Sequence, residues 1–463
     1  MSEEMKTLRK QLLRDSRSGY DVLEEAQLRQ MEDYCADYKA FLGNKTERLS
    51  ARAAIAAAEA HGFVEYRRGM ALEAGDKVYT CNRGKGLMLA VMGRESMAEG
   101  VQIAAAHIDS PRLDLKPNPL YEDSELAYFK THYYGGIRKY QWVTIPLQLQ
   151  GVVVKKDGTA VEVCIGEKGE PQLVITDLLP HLGGEQGKKP LSEAIPAETL
   201  NILLGSRPIG DEDDSDRVKL HVMKRLYDKY GITEADFASA ELEAVPAADA
   251  VDIGIDGSMI GSYGHDDRVC GYAALRALLE LDAPAKTAVC VLADKEEIGS
   301  MGVTGMQSAV FETFLSDLCD SQNVPLTVCF ENSVCLSADV TAAYDPNFAD
   351  VFDKKNAAFL NHGVGLCKYT GARGKSGSSD AGAETVAYVR SLLDGAGVRW
   401  QICELGKVDA GGGGTVAQYM ANRNIATLDA GVPVLSMHAP FEVVAKLDCY
   451  EMYRACKAIY EAR

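Results

Sequence analysis

Histidine and acidic residues follow four apolar runs of this chain, three of them at or close to the end of the run and one, Asp339, after a short polar stretch. The runs and the polar residues behind them are Val101–Ala106 before His107 and Asp109, Ala288–Ala293 before Glu296 and Glu297, Val324–Phe330 before Asp339, and Val432–Met437 before His438. Parallel strands that are buried on both faces form such continuous apolar runs, and ligands collect beyond their carboxyl ends. Imidazole and carboxylate groups are the side chains that bind catalytic zinc. These ends, together with the Gly-His-Asp-Asp segment at 264–267, predict one shared metal site.

Local sequence leaves an alternative open for each candidate. His107 could be a strand-end histidine satisfied by hydrogen bonds, or a metal ligand whose ring Asp109 orients from the same face. Glu296 and Glu297 could begin a helix, where acidic residues are favoured, or could divide the roles of general base and metal ligand. Asp266 precedes an apolar helix and could be an N-cap or a carboxylate shared by two metals.

Composition narrows the class of protein. The chain has 463 residues, 46% of them hydrophobic and 25% charged, which is typical of a globular protein with two domains or with one domain carrying an insertion. Its net charge of −18 disfavours nucleic acid and anionic membrane as partners. We expect no signal peptide, and no apolar run approaches the roughly 20 residues of a membrane helix. Twelve cysteines without C-x-x-C spacing indicate reduced thiols, so a cytoplasmic location is predicted.

The elements that must position the candidate residues fall into three parts of the chain. Amphipathic spacing predicts helices that pack over a sheet at Met5–Leu13, Val22–Leu42 and Ser50–His61. Short β-type pieces and polar turns occupy 110–256, and alternating strand and helix patterns return after that segment. His107 and Asp266 lie 159 residues apart (266 − 107) but are predicted to share one site, so the segment between them is interpreted as an insertion.

We therefore predict an α/β fold with a mostly parallel central sheet flanked by helices. In this prediction residues 1–109 and 257–463 form the catalytic domain, and residues 110–256 form an inserted β-rich domain. Elements after the insertion are predicted at Tyr272–Leu281, Ala288–Ala293, Gly305–Leu318, Leu326–Phe330 and Ala381–Leu393. Two Gly-rich segments, 371–376 and 409–415, lack the full phosphate-loop pattern and are interpreted as close approaches of backbone to a substrate or turn.

Five motifs of this chain, in their order, resemble those of the aspartyl aminopeptidase-like metallopeptidases. They are His107-Ile108-Asp109-Ser110-Pro111, Asp266-Asp267-Arg268, Asp294-Lys295-Glu296-Glu297-Ile298-Gly299-Ser300, Ser337-Ala338-Asp339 and Met437-His438. The resemblance covers nearly the whole chain, including the insertion. It implies a zinc aminopeptidase that acts on peptides with a free N-terminus. It also implies that the insertion joins subunits into dimers, and that the dimers build a tetrahedral dodecamer.

The resemblance further implies a role for each site residue. Two zinc ions per subunit are expected, and cobalt or manganese could substitute for them. The implied metal ligands are Asp266 shared by both ions, His107 and Asp339 on one ion, and Glu297 and His438 on the other. Glu296 would be the general base for a bridging hydroxide, and Asp109 would orient its neighbouring ligand.

One motif departs from the family pattern in a way that concerns the substrate pocket. Many relatives carry histidines after the acid of the fourth motif, where this chain has Ala342 and Asp345. A preference for N-terminal Asp or Glu needs a cation near the side-chain pocket, and Lys368 is our candidate for it. His181, within the insertion, is a second substrate-binding candidate that would reach the site of a neighbouring subunit.

Two other functions are compatible with the same residues. A binuclear zinc dipeptidase or an N-acyl amino acid deacylase would use the same base and metals but would recognise a different group on the substrate. A non-catalytic assembly protein that binds metal would not need Glu296 beside the ligands. Free-amine substrates, tested beside N-acetylated ones, separate these alternatives.

Overall fold

A computed structural model describes residues 2–14 and 17–463 of the chain. These residues form eleven α-helices: α1 (Glu3–Leu12), α2 (Glu25–Phe41), α3 (Glu47–Ala60), α4 (Leu191–Ala194), α5 (Arg217–Tyr230), α6 (His265–Leu279), α7 (Val310–Asp320), α8 (Leu326–Glu331), α9 (Ala383–Gly395), α10 (Ala417–Ala421) and α11 (Lys446–Tyr460).

The same described residues form twenty β-strands. They are β1 (Val64–Glu65), β2 (Lys77–Asn82), β3 (Gly86–Val91), β4 (Gln102–His107), β5 (Arg112–Asp123), β6 (Leu126–Tyr134), β7 (Leu147–Val154), β8 (Ala160–Ile165), β9 (Ile202–Gly205), β10 (Ala240–Pro246), β11 (Val251–Ile253), β12 (Met259–Ser262), β13 (Ala288–Ala293), β14 (Val334–Ala338), β15 (Thr341–Ala342), β16 (Val364–Cys367), β17 (Trp400–Ile402), β18 (Ala426–Gly431), β19 (Pro433–Leu435) and β20 (Glu442–Ala445).

The largest sheet has nine strands in the order β1-β2-β3-β13-β4-β14-β18-β16-β17 within the described part of the chain. Its middle strands, β13, β4, β14 and β18, run parallel to one another. The strands on either side of them, β3 and β16, run antiparallel, so the sheet is mixed around a parallel centre. Apolar clusters cover both faces, with α6 and α11 on one face and α7 on the other. The continuous apolar runs of the central strands follow from this burial on both sides.

The strand predicted at 324–330 is wrong. Leu326–Glu331 forms α8, with Pro325 as its N-cap, and the strand that leads to Asp339 is β14. A short apolar run does not distinguish a buried strand from a buried helix by periodicity. Pro325 is the signal that favoured the helix, because the φ angle of proline suits a helix start.

The strand predicted at 432–437 forms only in part, because β19 covers Pro433–Leu435 and lies outside the large sheet. The chain leaves the large sheet after β18, and β19 belongs to a five-stranded sheet in the order β11-β12-β20-β19-β15 of the described residues. Pro433 lacks a backbone N–H and is tolerated as the first residue of a strand, which is its position in β19. Ser436 and His438 then adopt φ angles of 58° and 64°, which end the extended backbone.

A six-stranded sheet in the order β8-β7-β10-β5-β6-β9 occupies the predicted insertion. All of its neighbouring strands are antiparallel, and its own apolar cluster centres on Phe129, Trp142 and Leu147. The strand β11 pairs with β12 of the five-stranded sheet, so the predicted bound at 256 falls inside a hairpin. The division of the chain into two domains stays a prediction.

The three predicted N-terminal helices form, but they differ in packing. Buried residues of α2 and α3, including Tyr38 and Ala54, join the cluster that covers the large sheet. No residue of α1 is buried, so the expectation that it packs over a sheet is wrong. Half of its sequence, EEMKTLRKQL, is charged, which leaves too little apolar surface to bury. Among residues 2–14 and 17–463, no helix has the length and apolar character needed to cross a membrane.

Candidate metal centre

The five predicted metal ligands come from five separate places and meet at one edge of the large sheet. Their positions are His107 as the last residue of β4, Asp266 at the start of α6, Glu297 in a short 3-10 helix after β13, Asp339 directly after β14, and His438 three residues after β19. Asp266 and Asp267 have non-helical φ and ψ angles and are joined by a cis peptide bond, so the regular part of α6 begins after them.

Asp266 lies between the two histidines. Its Oδ1 is 3.2 Å from Nε2 of His107, and its Oδ2 is 3.1 Å from Nε2 of His438. The residue directly before the regular part of α6 is Asp267, and both oxygens of Asp266 face the histidines, so Asp266 does not take the N-cap position. Each oxygen of this one carboxylate therefore serves a different half of the cluster.

Two further carboxylates complete the two halves. Oδ1 of Asp339 lies 3.9 Å from Nε2 of His107, and Oε2 of Glu297 lies 3.6 Å from Nε2 of His438. In each half, one donor atom from every residue lies within 4.8 Å of the others, which is close enough for all three to share one ion. The two groups are His107 with Asp266 and Asp339, and Asp266 with Glu297 and His438.

A tight turn after β13 separates the two neighbouring glutamates. Lys295 adopts a left-handed φ of 66°, and residues 296–298 then form one turn of 3-10 helix. The backbone N–H groups of Glu296 and Glu297 donate to the two oxygens of Asp109, each over 3.2 Å. Glu297 thereby enters the second half of the cluster, while Oε2 of Glu296 stays 3.9 Å from His107. The long helix that these residues could have started does not form here.

Asp109 holds the His107 ring as well as this turn. The Nδ1 of His107 lies 3.0 Å from the backbone oxygen of Asp109 and 3.3 Å from its Oδ1. A ring bonded through Nδ1 leaves Nε2 free as a metal donor, which is the usual arrangement of a ligating histidine. Both residues are buried, each with 1% of its surface exposed. The orienting role that the resemblance implies for Asp109 stays a prediction, which these contacts would allow.

Glu442, which is not among the predicted site residues, supports two of the ligands from behind. Its carboxylate accepts the backbone N–H of His438 over 2.6 Å and that of Asp266 over 3.1 Å. Glu442 is fully buried, and it stands four residues after His438 at the start of β20. That spacing, an acid shortly after the last ligand, was the signal that could have found it.

The sequence analysis also missed contacts from the insertion. The hydroxyl of Tyr134 donates to Oδ2 of Asp109 over 2.8 Å, and Nδ1 of His438 lies 2.9 Å from the backbone oxygen of Gly136. Both belong to the end of β6 and the turn that follows it. No local sequence pattern pointed to these contacts. In addition, the insertion was expected to serve in assembly and not at the site.

The electrostatics of the cluster favour a bound cation. Burial raises the pKa of Asp339 and Glu297 well above the ordinary carboxyl range, and neighbouring carboxylates add to the shift. Burial likewise raises the pKa of Glu296 to about 7. Although burial opposes it, contact with Asp266 raises the pKa of His438 to about 10. Acidic groups outnumber the histidines, so a divalent cation would relieve their mutual repulsion.

Unpaired atoms in the cluster test whether a metal fits. Among the described residues, Oε1 of Glu297 and Oδ1 of Asp267 are buried and have no hydrogen-bond partner. A buried carboxylate oxygen without a partner is costly, and a metal ion beside Glu297 would satisfy it. Imidazole nitrogens with carboxylate oxygens are the donor set of hydrolytic zinc sites. The residues present therefore fit zinc.

A cavity of about 430 Å³ opens over the cluster. Its wall beyond the cluster includes Thr341, Cys367, Thr370, Leu405, Tyr419 and the glycines 412–414. The predicted approach of the second Gly-rich segment to a substrate position agrees with this lining. Of the described residues that line the cavity, none is a lysine or an arginine.

The two substrate-binding candidates lie outside this lining. Nζ of Lys368 is 3.1 Å from Oδ1 of Asp380, and 44% of its side chain is exposed. His181 is exposed on the insertion. The roles of both residues in substrate binding stay predictions.

Comparison with known proteins identifies the family. Residues 44–460 match the family described as aminopeptidase I zinc metalloprotease (M18). A probable M18 family aminopeptidase 1 of Clostridium acetobutylicum is 48% identical over 450 residues, which cover 95% of this chain and 97% of the relative.

Solved structures agree with this match. An M18 family aminopeptidase from Thermotoga maritima superposes with a TM-score of 0.93 at 42% identity, and the match covers 97% of this chain and 99% of that one. A dodecameric Ape1 of Saccharomyces cerevisiae shares the fold, with a TM-score of 0.76 at 21% identity over 93% of this chain and 99% of that one. The expected resemblance is thereby confirmed, and the chain belongs to the M18 family of zinc metalloproteases as a metallo-aminopeptidase.

Proposed function

We propose that this aminopeptidase works with two zinc ions held by the five clustered residues. Asp266 is the shared ligand, with His107 and Asp339 on one side and Glu297 and His438 on the other. The observation that carries this proposal is the position of Asp266, whose two oxygens lie 3.2 Å and 3.1 Å from the two histidine Nε2 atoms. A carboxylate with one oxygen toward each half is suited to bridge two metals. Cobalt or manganese, which accept the same donors, are expected to substitute for zinc.

Zinc, when bound, polarises the carbonyl of the scissile peptide bond and acidifies the attacking water. We assign the proton transfer to Glu296, which stands beside the ligands without being a member of either metal group. Its carboxylate takes a proton from water as the water oxygen attacks the carbonyl carbon. It then delivers that proton to the leaving nitrogen as the C–N bond breaks. Burial raises its pKa to about 7, which suits a group that must accept and release a proton.

The proposed metal site supports a substrate with a free N-terminus. Zinc would neutralise the carboxylates of the cluster, and a neutral amine nitrogen is a donor that zinc accepts. In an N-acylated peptide the lone pair of that nitrogen is delocalised into the acyl group and is not available as a donor. Peptides and amides with a free amine are therefore the proposed substrates, ahead of acylated amino acids.

The side-chain preference is proposed from the cavity wall. An acidic N-terminal residue would need a cation, and none of the described lining residues is a lysine or an arginine. Lys368 would have to leave Asp380 to provide one. We therefore place uncharged N-terminal residues ahead of Asp and Glu. Hydrolysis of glutamyl and leucyl chromogenic amides at equal concentration measures this order directly.

Self-assembly is proposed on the basis of the resemblance and of an exposed apolar segment in the insertion. Leu178, Leu179 and Leu182 expose 54%, 50% and 69% of their surfaces on either side of His181. Such a patch is typical of a subunit contact. We propose dimers that build a tetrahedral dodecamer, to be tested by sedimentation velocity. All twelve cysteines are free thiols, in keeping with a proposed cytoplasmic location.

The proposed mechanism is tested by Glu296→Gln. The variant should keep its zinc but lose at least about two orders of magnitude in turnover of leucyl amide, since general-base catalysis is worth that much. Glu331→Gln, which changes an exposed glutamate at the end of α8, is the matched control and should turn over normally. Near-normal turnover by Glu296→Gln would reject its assignment as the base. Asp266→Ala should instead empty the site, which metal analysis of the purified protein detects.

A further inference from the structure

We propose that residues 134–136 of the insertion are positioning residues of the metal centre, so that zinc retention depends on the insertion. These three consecutive residues each touch a different residue of the centre. Tyr134 contacts Asp109, Gly135 lies against Glu297, and Gly136 contacts His438. This inference rests on the proposed zinc site. It gives the insertion a task beyond assembly.

Tyr134 fixes the orientation of Asp109. Oδ2 of Asp109 accepts the tyrosine hydroxyl over 2.8 Å and the N–H of Glu297 over 3.2 Å. Its Oδ1 accepts the N–H of Glu296 over 3.2 Å and lies 3.3 Å from Nδ1 of His107. With both oxygens occupied, the carboxylate has a single orientation. Loss of the tyrosine hydroxyl would leave a buried lone pair unsatisfied and loosen the His107 ring.

Tyr134 is itself held in place by a buried arginine. The guanidinium carbon of Arg112 lies 3.9 Å from the centre of the tyrosine ring, and Arg112 is 5% exposed. The same guanidinium is 3.3 Å from Glu243 of the insertion and 3.4 Å from Glu47 of α3. Carboxylates on α3 and in the insertion therefore fix Arg112, and Tyr134 cannot turn away without losing its contact with this guanidinium.

The two glycines allow the turn to approach the ligands closely. A Cβ at Gly136 would lie 3.2 Å from Nδ1 of His438, and a Cβ at Gly135 would lie 3.3 Å from Glu297. Both distances are shorter than ordinary van der Waals contact. Without a side chain, the oxygen of Gly136 can accept the Nδ1 hydrogen of His438 over 2.9 Å. That bond leaves Nε2 free as the donor toward the metal.

Tyr134→Phe is the first test, with Tyr133→Phe as its matched control. Tyr133 is the preceding residue of the same strand, and 42% of it is exposed. Loss of an outer hydrogen-bond partner weakens metal binding by about 10- to 100-fold, so zinc should pass to a competing chelator at least about 10-fold faster from Tyr134→Phe. The control should release zinc at the wild-type rate. Metal-free Tyr134→Phe should melt below metal-free Tyr133→Phe, because a buried oxygen of Asp109 loses a hydrogen-bond partner, so the rate of zinc release is the readout that decides the role toward the metal.

Gly136→Ala is the second test, with Gly184→Ala as its control, since a Cβ at Gly184 would meet nothing within 4 Å. Gly136→Ala should also speed zinc release, and Gly184→Ala should not. Wild-type release by both Tyr134→Phe and Gly136→Ala would overturn the inference, as would a loss of metal-free stability in Tyr134→Phe with unchanged release. Metal analysis of the wild type distinguishes failure of this inference from failure of the proposed function. A wild type that binds no zinc would reject the proposed function itself.

Discussion

Arg112 is a buried arginine that joins α3 to the inserted sheet, and its loss should destabilise the protein strongly. Its guanidinium lies 2.9 Å from Asp114, 3.3 Å from Glu243 and 3.4 Å from Glu47. Arg112→Met keeps much of the side-chain volume and removes the charge. The carboxylates of Glu47 and Glu243 then stay buried, with Lys85 3.4 Å from Glu47 as the remaining cation.

The size of the loss in stability follows from the burial of these charged side chains. At an effective dielectric constant near 20, each of these contacts is worth on the order of 5 kcal/mol of attraction, but desolvation cancels much of it. Breaking a buried ion pair from one side costs about 3–5 kcal/mol. Burial already raises the pKa of Glu243 well above its ordinary value, so protonation of this residue offsets part of the cost. We therefore expect a loss of about 3 kcal/mol in the free energy of unfolding.

Arg52→Met is the matched control, because Arg52 of α3 also pairs with the insertion, at Glu162. The side chains of that pair are 57% and 64% exposed, and exposed pairs contribute at most about 1 kcal/mol. Unfolding of the metal-free protein in guanidinium chloride measures the loss in free energy of unfolding for both variants. Tryptophan fluorescence in a Trp400→Phe background reports on Trp142, the other of the two tryptophans, which is buried in the insertion. A loss for Arg112→Met no larger than that for Arg52→Met would refute the reasoning.

Two further predictions concern a buried acid in the cavity wall and a buried glycine. Burial raises the pKa of Asp429 from 3.8 to about 6, so the folded chain keeps this proton between those values and loses stability as pH rises through them. Relative to Asp429→Asn, the metal-free wild type should lose about 2 kcal/mol between pH 4 and pH 7 in urea unfolding, and parallel pH profiles would contradict this. Gly100→Ala should lower the free energy of unfolding by about 1–3 kcal/mol more than Gly62→Ala in the same assay. Both glycines have a left-handed φ, but only at Gly100 would the new Cβ meet a backbone oxygen, that of Asn332 at 1.9 Å, and equal losses would reject the clash.

The sequence predicted the residues of the candidate site better than the strands that carry them. His107 and Glu297 follow central strands as expected, because β4 and β13 are buried on both faces and read as continuous apolar runs. Asp339 was assigned to a strand at 324–330, where a helix forms, and His438 was assigned to a strand at 432–437, of which only Pro433–Leu435 is a strand. The motifs identified these two residues, whereas a short apolar run carries no reliable information on helix or strand.

The supporting residues differ in how far the sequence could have indicated them. Glu442 stands four residues after His438, so its spacing was a usable signal, although its second contact, to Asp266, spans 176 residues (442 − 266). Tyr134 lies 25 residues from Asp109 in an antiparallel sheet whose register the sequence did not give. Its contact depends on how the six-stranded sheet packs against the nine-stranded sheet, which hydrophobic periodicity does not encode.

The support that Glu442 gives to the cluster ties together parts of the chain that are far apart in sequence. His107 and His438 are separated by 331 residues (438 − 107), and Glu442 binds the backbone N–H groups of both His438 and Asp266, which are 172 residues apart (438 − 266). The entropy of closing such long loops must be overcome before these groups can meet, and contacts of this kind slow folding. We therefore expect the cluster to assemble late in folding, after the local elements that carry its residues have formed.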